Sequence, residues 1–279
     1  MIFIIINNMD SKPAETSYEN YSSASLNYDT GRAPLGLKQM VDAIKKYGPE
    51  ETKAVADIGC GTGNYLVAMK DIYESGVGVD INGGMLEAFD KKIEAQGLKG
   101  KLKTVLASGS ELPFEENSFD AVIACLTIHH HGSDENKLKF LSEVRRILKP
   151  GGVFVLNHNA DVHFSSFWYL SENPRVRALM EAKGGSIPGL LEMAEKAGLG
   201  LKEQIPIPDL IVPDPKVFTT KEGRTTTSVF ALFSEEEDKE FESKLKQRLA
   251  EGSWEKWAQE QCGENIAKWG VTAHFVFTK

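Results

Sequence analysis

The stretch from about residue 50 to residue 157 alternates short, continuously apolar runs with amphipathic segments of helical spacing. One apolar run, residues 53–58, breaks into a glycine-rich turn at residues 59–63 before a helical pattern begins. Strands that are apolar on both faces and separated by helices are typical of a parallel sheet covered on both sides. The sequence therefore predicts a doubly wound α/β core over residues 50–157.

Further elements follow from the same periodicities. Beyond the core, the sequence predicts a helix near residues 187–197 and a strand around residues 201–207, and the alternation over residues 271–277 predicts a last strand. Ser234 and Glu237 form a capping-box motif that predicts the start of a charged helix. Within the core, four more strands are predicted at 76–80, 102–107, 119–126 and 153–156, and helices through Phe89 and at 137–148. A further helix is predicted before the core, at 34–47.

The composition argues against nucleic acid as a partner. Acidic residues outnumber Lys and Arg by 40 to 32, which gives a formal net charge of −8. Affinity for a phosphate backbone comes largely from cationic side chains, and the chain has no long basic run. We therefore expect a small-molecule partner and no nucleic acid.

Cysteine usage and the N-terminus favour a cytoplasmic protein. Cys60, Cys125 and Cys262 show neither a CxxC motif nor a zinc-binding cadence, so we expect a reducing compartment and no metal. The apolar residues 1–6 have no basic region before them and are too short to span a bilayer. We therefore predict no membrane anchor and take Met9 as the functional start.

The glycine turn and an acid after the second strand predict a nucleoside-containing cofactor. In an open α/β sheet the ligand lies beyond the carboxyl ends of the strands, where a glycine-rich turn lets it approach the backbone. Asp80 ends the second strand, where its carboxylate would accept hydrogen bonds from ribose hydroxyls. The spacing Gly59-x-Gly61-x-Gly63 differs from the GxGxxG of dinucleotide-binding proteins. Asp57, two residues before the first glycine of the turn, favours a cationic ligand over a pyrophosphate.

These motifs together resemble those of a known enzyme family, over about residues 18–157. Residues 55–64 are similar to the first motif of class I S-adenosylmethionine-dependent methyltransferases, of the small-molecule type 11 group. The other matching segments are residues 78–80, similar to the second motif, residues 112–114 and 118–120, similar to the segment between the third and fourth strands, and residues 148–152, similar to the turn before the fifth strand.

The resemblance implies a Rossmann-like sheet of seven mostly parallel strands with an antiparallel last strand and helices on both faces. It also implies a division of the chain, with residues 1–32 as a cap or lid and residues 33–279 as a single methyltransferase domain. In that domain, residues 50–157 would bind the cofactor, and residues 158–279 would cover the substrate and complete the sheet.

The same resemblance implies how S-adenosylmethionine is held. Gly59, Gly61 and Gly63 would let the backbone pass close to the methionine and ribose parts. Asp80 would hold the ribose hydroxyls, and Asp57 would lie near the sulfonium and amino groups. In similar enzymes an acid often meets the adenine amino group, but this sequence has a serine at that position. The remaining residues expected around the cofactor are Ser108, Gly109, Ser110, Cys125, Leu126, Tyr28 and Arg32.

Histidines after the fourth and fifth strands are candidate catalytic residues. Methyl transfer from a sulfonium is an in-line displacement, and a base is needed only if the nucleophile is protonated. Histidine has an unperturbed pKa of about 6.5, which suits a base near neutrality. His129, His130 and His158 would all lie at the cofactor edge of the sheet, and we favour His130. The alternative is that most of the histidine run is loop or surface.

Residues outside the core motifs are expected to bind the substrate. Similar enzymes fold an N-terminal segment over the cofactor, so Arg32 would pair with the methionine carboxylate while Tyr28 closes the lid; packed tyrosines and a solvated arginine are the alternative. The aromatic residues after the fifth strand would either wall a pocket or form core. The predicted substrate contacts are Tyr21, His130, Asn157, Asn159, Trp168 and Tyr169.

The sequence thus predicts a cytoplasmic enzyme, a monomer or homodimer, that transfers a methyl group from S-adenosylmethionine to O, N or S of a small molecule. Two alternatives remain open at this level. An NAD-dependent oxidoreductase would share the topology but would need GxGxxG. A non-catalytic cofactor-binding protein would bind S-adenosylmethionine without transferring its methyl group.

Overall fold

A computed structural model describes residues 34–208, 214–225 and 227–279. Met9, Tyr21, Tyr28 and Arg32, and with them the predicted N-terminal cap, lie outside these residues. No helix in the three described ranges is both long and apolar enough to cross a bilayer.

Seven strands in the described part of the chain form one sheet, in the order β3-β2-β1-β4-β5-β7-β6. β1 to β5 pair in parallel, and β7 runs antiparallel to both of its neighbours, which confirms the predicted fold class. The carboxyl ends of β1, β2, β4 and β5 therefore meet at one edge of the sheet. The strands are Ala54–Ile58 (β1), Ser75–Asp80 (β2), Leu102–Leu106 (β3), Phe119–Cys125 (β4), Leu148–His158 (β5), Gly200–Ile207 (β6) and Thr272–Thr278 (β7).

The α-helices comprise those expected and three that the sequence did not reveal, α5, α7 and α9. Asn173 and Pro174 carry the signal for α5, because the Asn173 side chain caps the helix and Pro174 occupies its first turn. The helices are Leu37–Tyr47 (α1), Asn64–Ala68 (α2), Gly83–Ala95 (α3), Asp134–Ile147 (α4), Pro174–Gly184 (α5), Ile187–Lys196 (α6), Lys221–Thr225 (α7), Glu235–Glu251 (α8) and Trp254–Trp269 (α9).

The fifth strand is longer than the predicted 153–156. Leu148 already pairs with Phe119 of β4, and pairing with β7 continues to His158. The extension matters for function, because it brings the residues at the end of β5 level with Cys125 at the end of β4.

Helices cover both faces of the sheet, as the continuous apolar strands require. Val55 of β1 packs in one core with Phe89 of α3, whereas the next residue, Ala56, packs in the other core with Phe140 of α4 and Leu190 of α6. Successive strand residues point to opposite faces, so an apolar run without alternation is buried on both sides.

A third, aromatic core lies among the segments that follow β5. Trp168 is 4% exposed, and its ring contacts those of Phe218, Phe241, Trp254 and Trp257 at centroid distances of 5.7, 5.9, 5.4 and 6.3 Å. Burial of such large rings contributes about 2–3 kcal/mol each. The C-terminal segments are therefore held to the sheet by packing as well as by β6 and β7.

Candidate active site

The glycine turn between β1 and α2 depends on left-handed backbone at three positions. Gly59, Gly61 and Gly63 have φ values of 76°, 53° and 74°, which glycine adopts without steric cost. A Cβ at Gly59 would lie 2.2 Å from Thr127 Oγ1, and one at Gly63 would lie 2.2 Å from the Phe89 ring. A Cβ at Gly61 would meet nothing within 4 Å. Gly61 therefore borders open space at the edge of the sheet, whereas its two neighbours serve packing.

Asp80, at the end of β2, holds this turn in place. Its Oδ2 accepts a hydrogen bond from the Gly61 N–H at 2.8 Å, and its Oδ1 accepts one from the Asn82 N–H at 2.8 Å. Burial raises the pKa of the carboxyl, and these two backbone donors oppose the shift. Because a carboxylate oxygen accepts more than one hydrogen bond, both oxygens retain capacity for ligand hydroxyls.

Asp57, at the end of β1, is a buried acid whose Oδ1 has no hydrogen-bond partner within the described part of the chain. It is 1% exposed. Burial, reinforced by the negative charge of Asp80, raises its pKa to about 8. A buried polar atom without a partner is costly and marks a place where a ligand group fits. A cationic group beside Asp57 would satisfy the oxygen and restore the charged form.

A lysine that the sequence did not single out braces the turn from α3. Lys92 Nζ donates to the Thr62 carbonyl oxygen at 2.9 Å and to Asn64 Oδ1 at 2.5 Å. Its position, six residues after the buried Leu86 and one before the buried Ile93, carries no functional signal. Only the fold reveals that Lys92 reaches back to the glycine turn.

The loop after β3 is fixed by one of the three consecutive histidines. Ser110 Oγ lies 3.0 Å from His131 Nδ1, and Ser108 Oγ accepts a hydrogen bond from the Ser110 N–H. Gly109 is tightly packed, because a Cβ there would lie 3.0 Å from Phe140 and 3.2 Å from His131. His131 therefore supports the loop predicted to contact adenine.

The end of β4 has a strained backbone close to the predicted cofactor site. Leu126 has φ 51°, which is rare outside glycine, and its N–H donates to the Asn157 carbonyl oxygen at 2.9 Å. Burial raises the pKa of the Cys125 thiol well above its usual value, so the thiol stays protonated. Backbone strain such as that at Leu126 is typical of functional sites. The protonated thiol of Cys125 is unsuited to act as a nucleophile.

The three candidate catalytic histidines do come together at this edge. The ring of His129 lies 4.1 Å from that of His130 and 6.3 Å from that of His158, between centroids. Burial lowers the pKa of His130 and His158 to about 4 and that of His129 well below its usual value. The prediction that one of these histidines keeps a pKa near neutrality and acts as a base there is therefore wrong. All three rings are neutral at pH 7.

His158 has a tautomer fixed by its surroundings. Its Nε2 lies 2.9 Å from the Gly184 carbonyl oxygen, which can only accept, so Nε2 carries the proton. Nδ1 is then an acceptor, and it has no partner in the described part of the chain, although the side chain is 2% exposed. His158 thus presents a buried lone pair at the same edge as Asp57.

Two lysines that the sequence analysis missed surround the histidines. Lys183 lowers the pKa of His129 and His130, and Lys137 lowers that of His129, His131 and His158. Neither lies in a motif, because Lys183 comes from α5, which was not predicted, and Lys137 lies in the first turn of α4.

Asn157 is committed to the sheet, which corrects its prediction as a substrate contact. It is fully buried, its Nδ2 donates to His274 Nδ1 at 3.0 Å, and its Oδ1 accepts from Thr272 Oγ1. His274 in turn donates through Nε2 to the Gly36 carbonyl oxygen at 2.9 Å. The neighbouring Asn159 keeps a buried Oδ1 without a partner in the described ranges, so its predicted substrate contact stays a prediction.

The aromatic residues after β5 are core, the second of the two alternatives left open by the sequence. Trp168 and Tyr169 are 4% and 8% exposed, and the Tyr169 ring packs against Phe218 and Phe230. Their predicted role as pocket walls is corrected, because aromatic neighbours surround both rings. Among the described residues, no group of three His, Cys, Asp or Glu side chains is placed to hold a metal ion.

Comparison with known proteins agrees with this geometry. Residues 56–156 match the family model described as a methyltransferase domain. The demethylmenaquinone methyltransferase of Geobacillus kaustophilus is 27% identical over 154 residues, which are 53% of this chain and 64% of that protein. The human "Probable tRNA methyltransferase 9B" is 33% identical over 103 residues, 37% of this chain and 20% of that protein. The chain thus spans less than two thirds of the length of these curated relatives.

A solved structure from Anabaena variabilis, described as "Putative methyltransferase from antibiotic biosynthesis pathway", superimposes with a TM-score of 0.67 at 21% identity. The alignment covers 90% of this chain and all of that one, which shows the fold. S-adenosylmethionine is the cofactor of this fold family, and the acids and glycines described above match its motifs. Residues 56–156 of the chain therefore match a methyltransferase domain, in a fold like that of the solved methyltransferase.

Proposed function

We propose that the protein transfers the methyl group of S-adenosylmethionine to an O, N or S nucleophile of a small molecule in the cytoplasm. The observation that carries the proposal is the position of Asp57. Its unpartnered, buried carboxyl oxygen lies at the sheet edge where the histidines at the ends of β4 and β5 also converge. Methyl transfer requires an acid that holds the cationic cofactor and hydrogen-bonding groups that hold the methyl acceptor.

The residues present fit the cofactor. The unpartnered Oδ1 of Asp57 would accept from its ammonium group, and the remaining lone pairs of Asp80 would accept from its ribose hydroxyls. The open space at Gly61 would admit it close to the backbone. Ser108 and Ser110, held by His131, would face the adenine. When bound, the cofactor supplies an electrophilic methyl group on a sulfonium.

The chain's own part in the reaction is alignment and exclusion of water. In-line displacement is accelerated when nucleophile and methyl are held in a near-attack geometry in a dry site. His158 Nδ1 would accept a hydrogen bond from an O–H or N–H group of the acceptor and fix its orientation. Because a pKa of about 4 makes His130 and His158 weak bases at pH 7, their part would be to orient the acceptor.

Calorimetry with S-adenosylhomocysteine, followed by transfer of isotope-labelled methyl into a metabolite extract, tests the proposal. We expect tight cofactor binding and label in small molecules. Asp80→Ala removes two charged hydrogen-bond acceptors for ribose, so affinity should fall about a hundredfold. Asp71→Ala is the control, because Asp71 is an exposed acid in the short helix before β2 and should leave affinity unchanged.

Three other outcomes would each contradict the proposal. Label found in tRNA and absent from metabolites would move the acceptor to nucleic acid. Binding of NAD without S-adenosylhomocysteine would indicate an oxidoreductase. Tight cofactor binding with no transfer to either pool would indicate a non-catalytic protein.

A further inference from the structure

We propose that Lys92 is a positioning residue for cofactor binding, whose ammonium group holds the glycine turn in the shape that S-adenosylmethionine requires. The inference rests on the proposed function and adds a residue of α3 to its cofactor site. The observation that carries it is a pair of hydrogen bonds. Lys92 Nζ donates to the Thr62 carbonyl oxygen at 2.9 Å and to Asn64 Oδ1 at 2.5 Å, so the lysine acts through the backbone and side chains of the turn.

The peptide group between Thr62 and Gly63 is hydrogen-bonded at both of its ends. Its N–H, from Gly63, donates to the Cys60 carbonyl oxygen at 2.9 Å within the turn. Its carbonyl oxygen, from Thr62, accepts from Lys92 Nζ, which belongs to another element of the fold. A planar peptide group that is bonded at both ends cannot rotate without breaking one of the two bonds. Lys92 therefore fixes the orientation of this peptide from outside the turn.

One face of α3 presents both an aromatic ring and this lysine to the turn. Phe89 and Lys92 are three residues apart, which places them on the same side of the helix. The Phe89 ring is fully buried and lies so close to Gly63 that a Cβ there would come within 2.2 Å of it. Lys92 is half-buried and reaches Thr62, which is 1% exposed. The helix thus supports two consecutive residues of the turn, one by packing and one by a hydrogen bond.

A purely structural role for Lys92 makes a different prediction. Lys92 lies in the last turn of α3, where the helix dipole favours a cation whatever else it contacts. An ion pair along the helix is not available to it, because the residues three and four positions away are Ala88, Phe89, Ala95 and Gln96. A dipole interaction alone would change the stability of the protein, whereas the hydrogen bonds to the turn would also change its affinity for the cofactor.

The size of the effect follows from the population of turns that have the binding shape. Loss of the ammonium group leaves the Thr62 carbonyl without its charged donor, and hydrogen bonds from charged groups are the stronger kind. If the turn of the variant has the binding shape in about one molecule in ten, the apparent Kd rises about tenfold. The rate of methyl transfer in the loaded enzyme stays the same, because the bound cofactor then holds the turn in place.

Calorimetry with S-adenosylhomocysteine, together with the kinetics of labelled-methyl transfer, tests the role of Lys92. Lys92→Met keeps the aliphatic stem and removes the ammonium group, so it should raise the Kd for S-adenosylhomocysteine and the KM for S-adenosylmethionine about tenfold. Its kcat at saturating cofactor should equal that of wild type. Lys92→Arg restores a charged donor and should bring the Kd back to within about threefold of wild type. Lys91→Met, which changes the exposed neighbouring lysine, is the matched control and should alter none of these constants.

An unchanged Kd in folded Lys92→Met, even with a lower melting temperature, would overturn the inference and leave the lysine a structural role alone. A lower kcat with an unchanged KM would overturn it as well. If Lys92→Met does not fold, Asn64→Ala takes its place, because it removes the second acceptor of the ammonium group. This variant should bind about threefold more weakly, and an unchanged affinity would contradict the inference. Wild-type protein that binds no S-adenosylhomocysteine would refute the proposed function itself, and the inference with it.

Discussion

The buried carboxyl of Asp57 makes cofactor affinity depend on pH. Burial and the charge of Asp80 raise its pKa to about 8, so at neutrality most molecules carry this carboxyl protonated. A cationic ligand beside it stabilises the ionised form. Binding of S-adenosylmethionine is therefore expected to release a proton from Asp57.

The size of the effect follows from the pKa. Below pH 8 the ionised fraction rises about tenfold for each pH unit, so the association constant should rise by up to about tenfold, or about 1.4 kcal/mol, between pH 6 and pH 7. The buried histidines with a pKa of about 4 contribute nothing in this window. The cofactor's own amino group stays protonated below about pH 7.5.

Isothermal titration calorimetry at pH 6.0, 6.5, 7.0 and 7.5, in two buffers of different ionisation enthalpy, measures both the affinity and the number of protons released. The Asp57→Asn variant has no titrating group at this position. It should bind the cofactor more weakly, and its affinity should not depend on pH. A wild-type affinity that stays constant over this range, or the same slope in Asp57→Asn, would refute the role of Asp57.

Other variants probe the same region. An unfolded aspartate is ionised above about pH 4 whereas Asp57 stays protonated, so ligand-free Asp57→Asn should melt at a higher temperature than wild type at pH 7 in thermal denaturation. Gly63→Ala should lose about 3 kcal/mol in urea unfolding, because its Cβ would lie 2.2 Å from Phe89 at φ 74°. Gly61→Ala should cost only about 1–2 kcal/mol but lower cofactor affinity more than tenfold, since its Cβ would enter the open space. Trp168→Ala should lower the free energy of unfolding, measured in urea, by about 4 kcal/mol.

The fold followed from the sequence because its signals are local. An apolar run buried on both faces, such as β4, differs plainly from a helix with one apolar stripe, and the glycine turn marks the first βα connection. The same local signals located Asp57 and Asp80, because Asp80 ends β2 and Asp57 lies one residue before the end of β1. The sequence also predicted that the two acids lie at the same edge of the sheet, since the carboxyl ends of neighbouring parallel strands meet there.

Features that depend on packing could not be predicted this way. The low pKa of His158 results from burial, and its fixed tautomer from a carbonyl on α5, a helix with no amphipathic stripe strong enough to identify. In the sequence, Asn157 is simply a polar residue at a strand end. In the structure, both polar atoms of its side chain form hydrogen bonds with residues of β7, more than a hundred residues away. Lys92 and Lys183 carry no motif at all. Their roles arise only once distant segments come together.

Transfer of a labelled methyl group from S-adenosylmethionine to a purified metabolite fraction tests the account most directly. With wild-type protein we predict label in a small molecule, and with Asp80→Ala, assayed at the same cofactor concentration, loss of nearly all of it. Labelling that persists in Asp80→Ala, or a cofactor that binds and never yields labelled product in any pool, would contradict the central claim that this sheet edge transfers methyl groups.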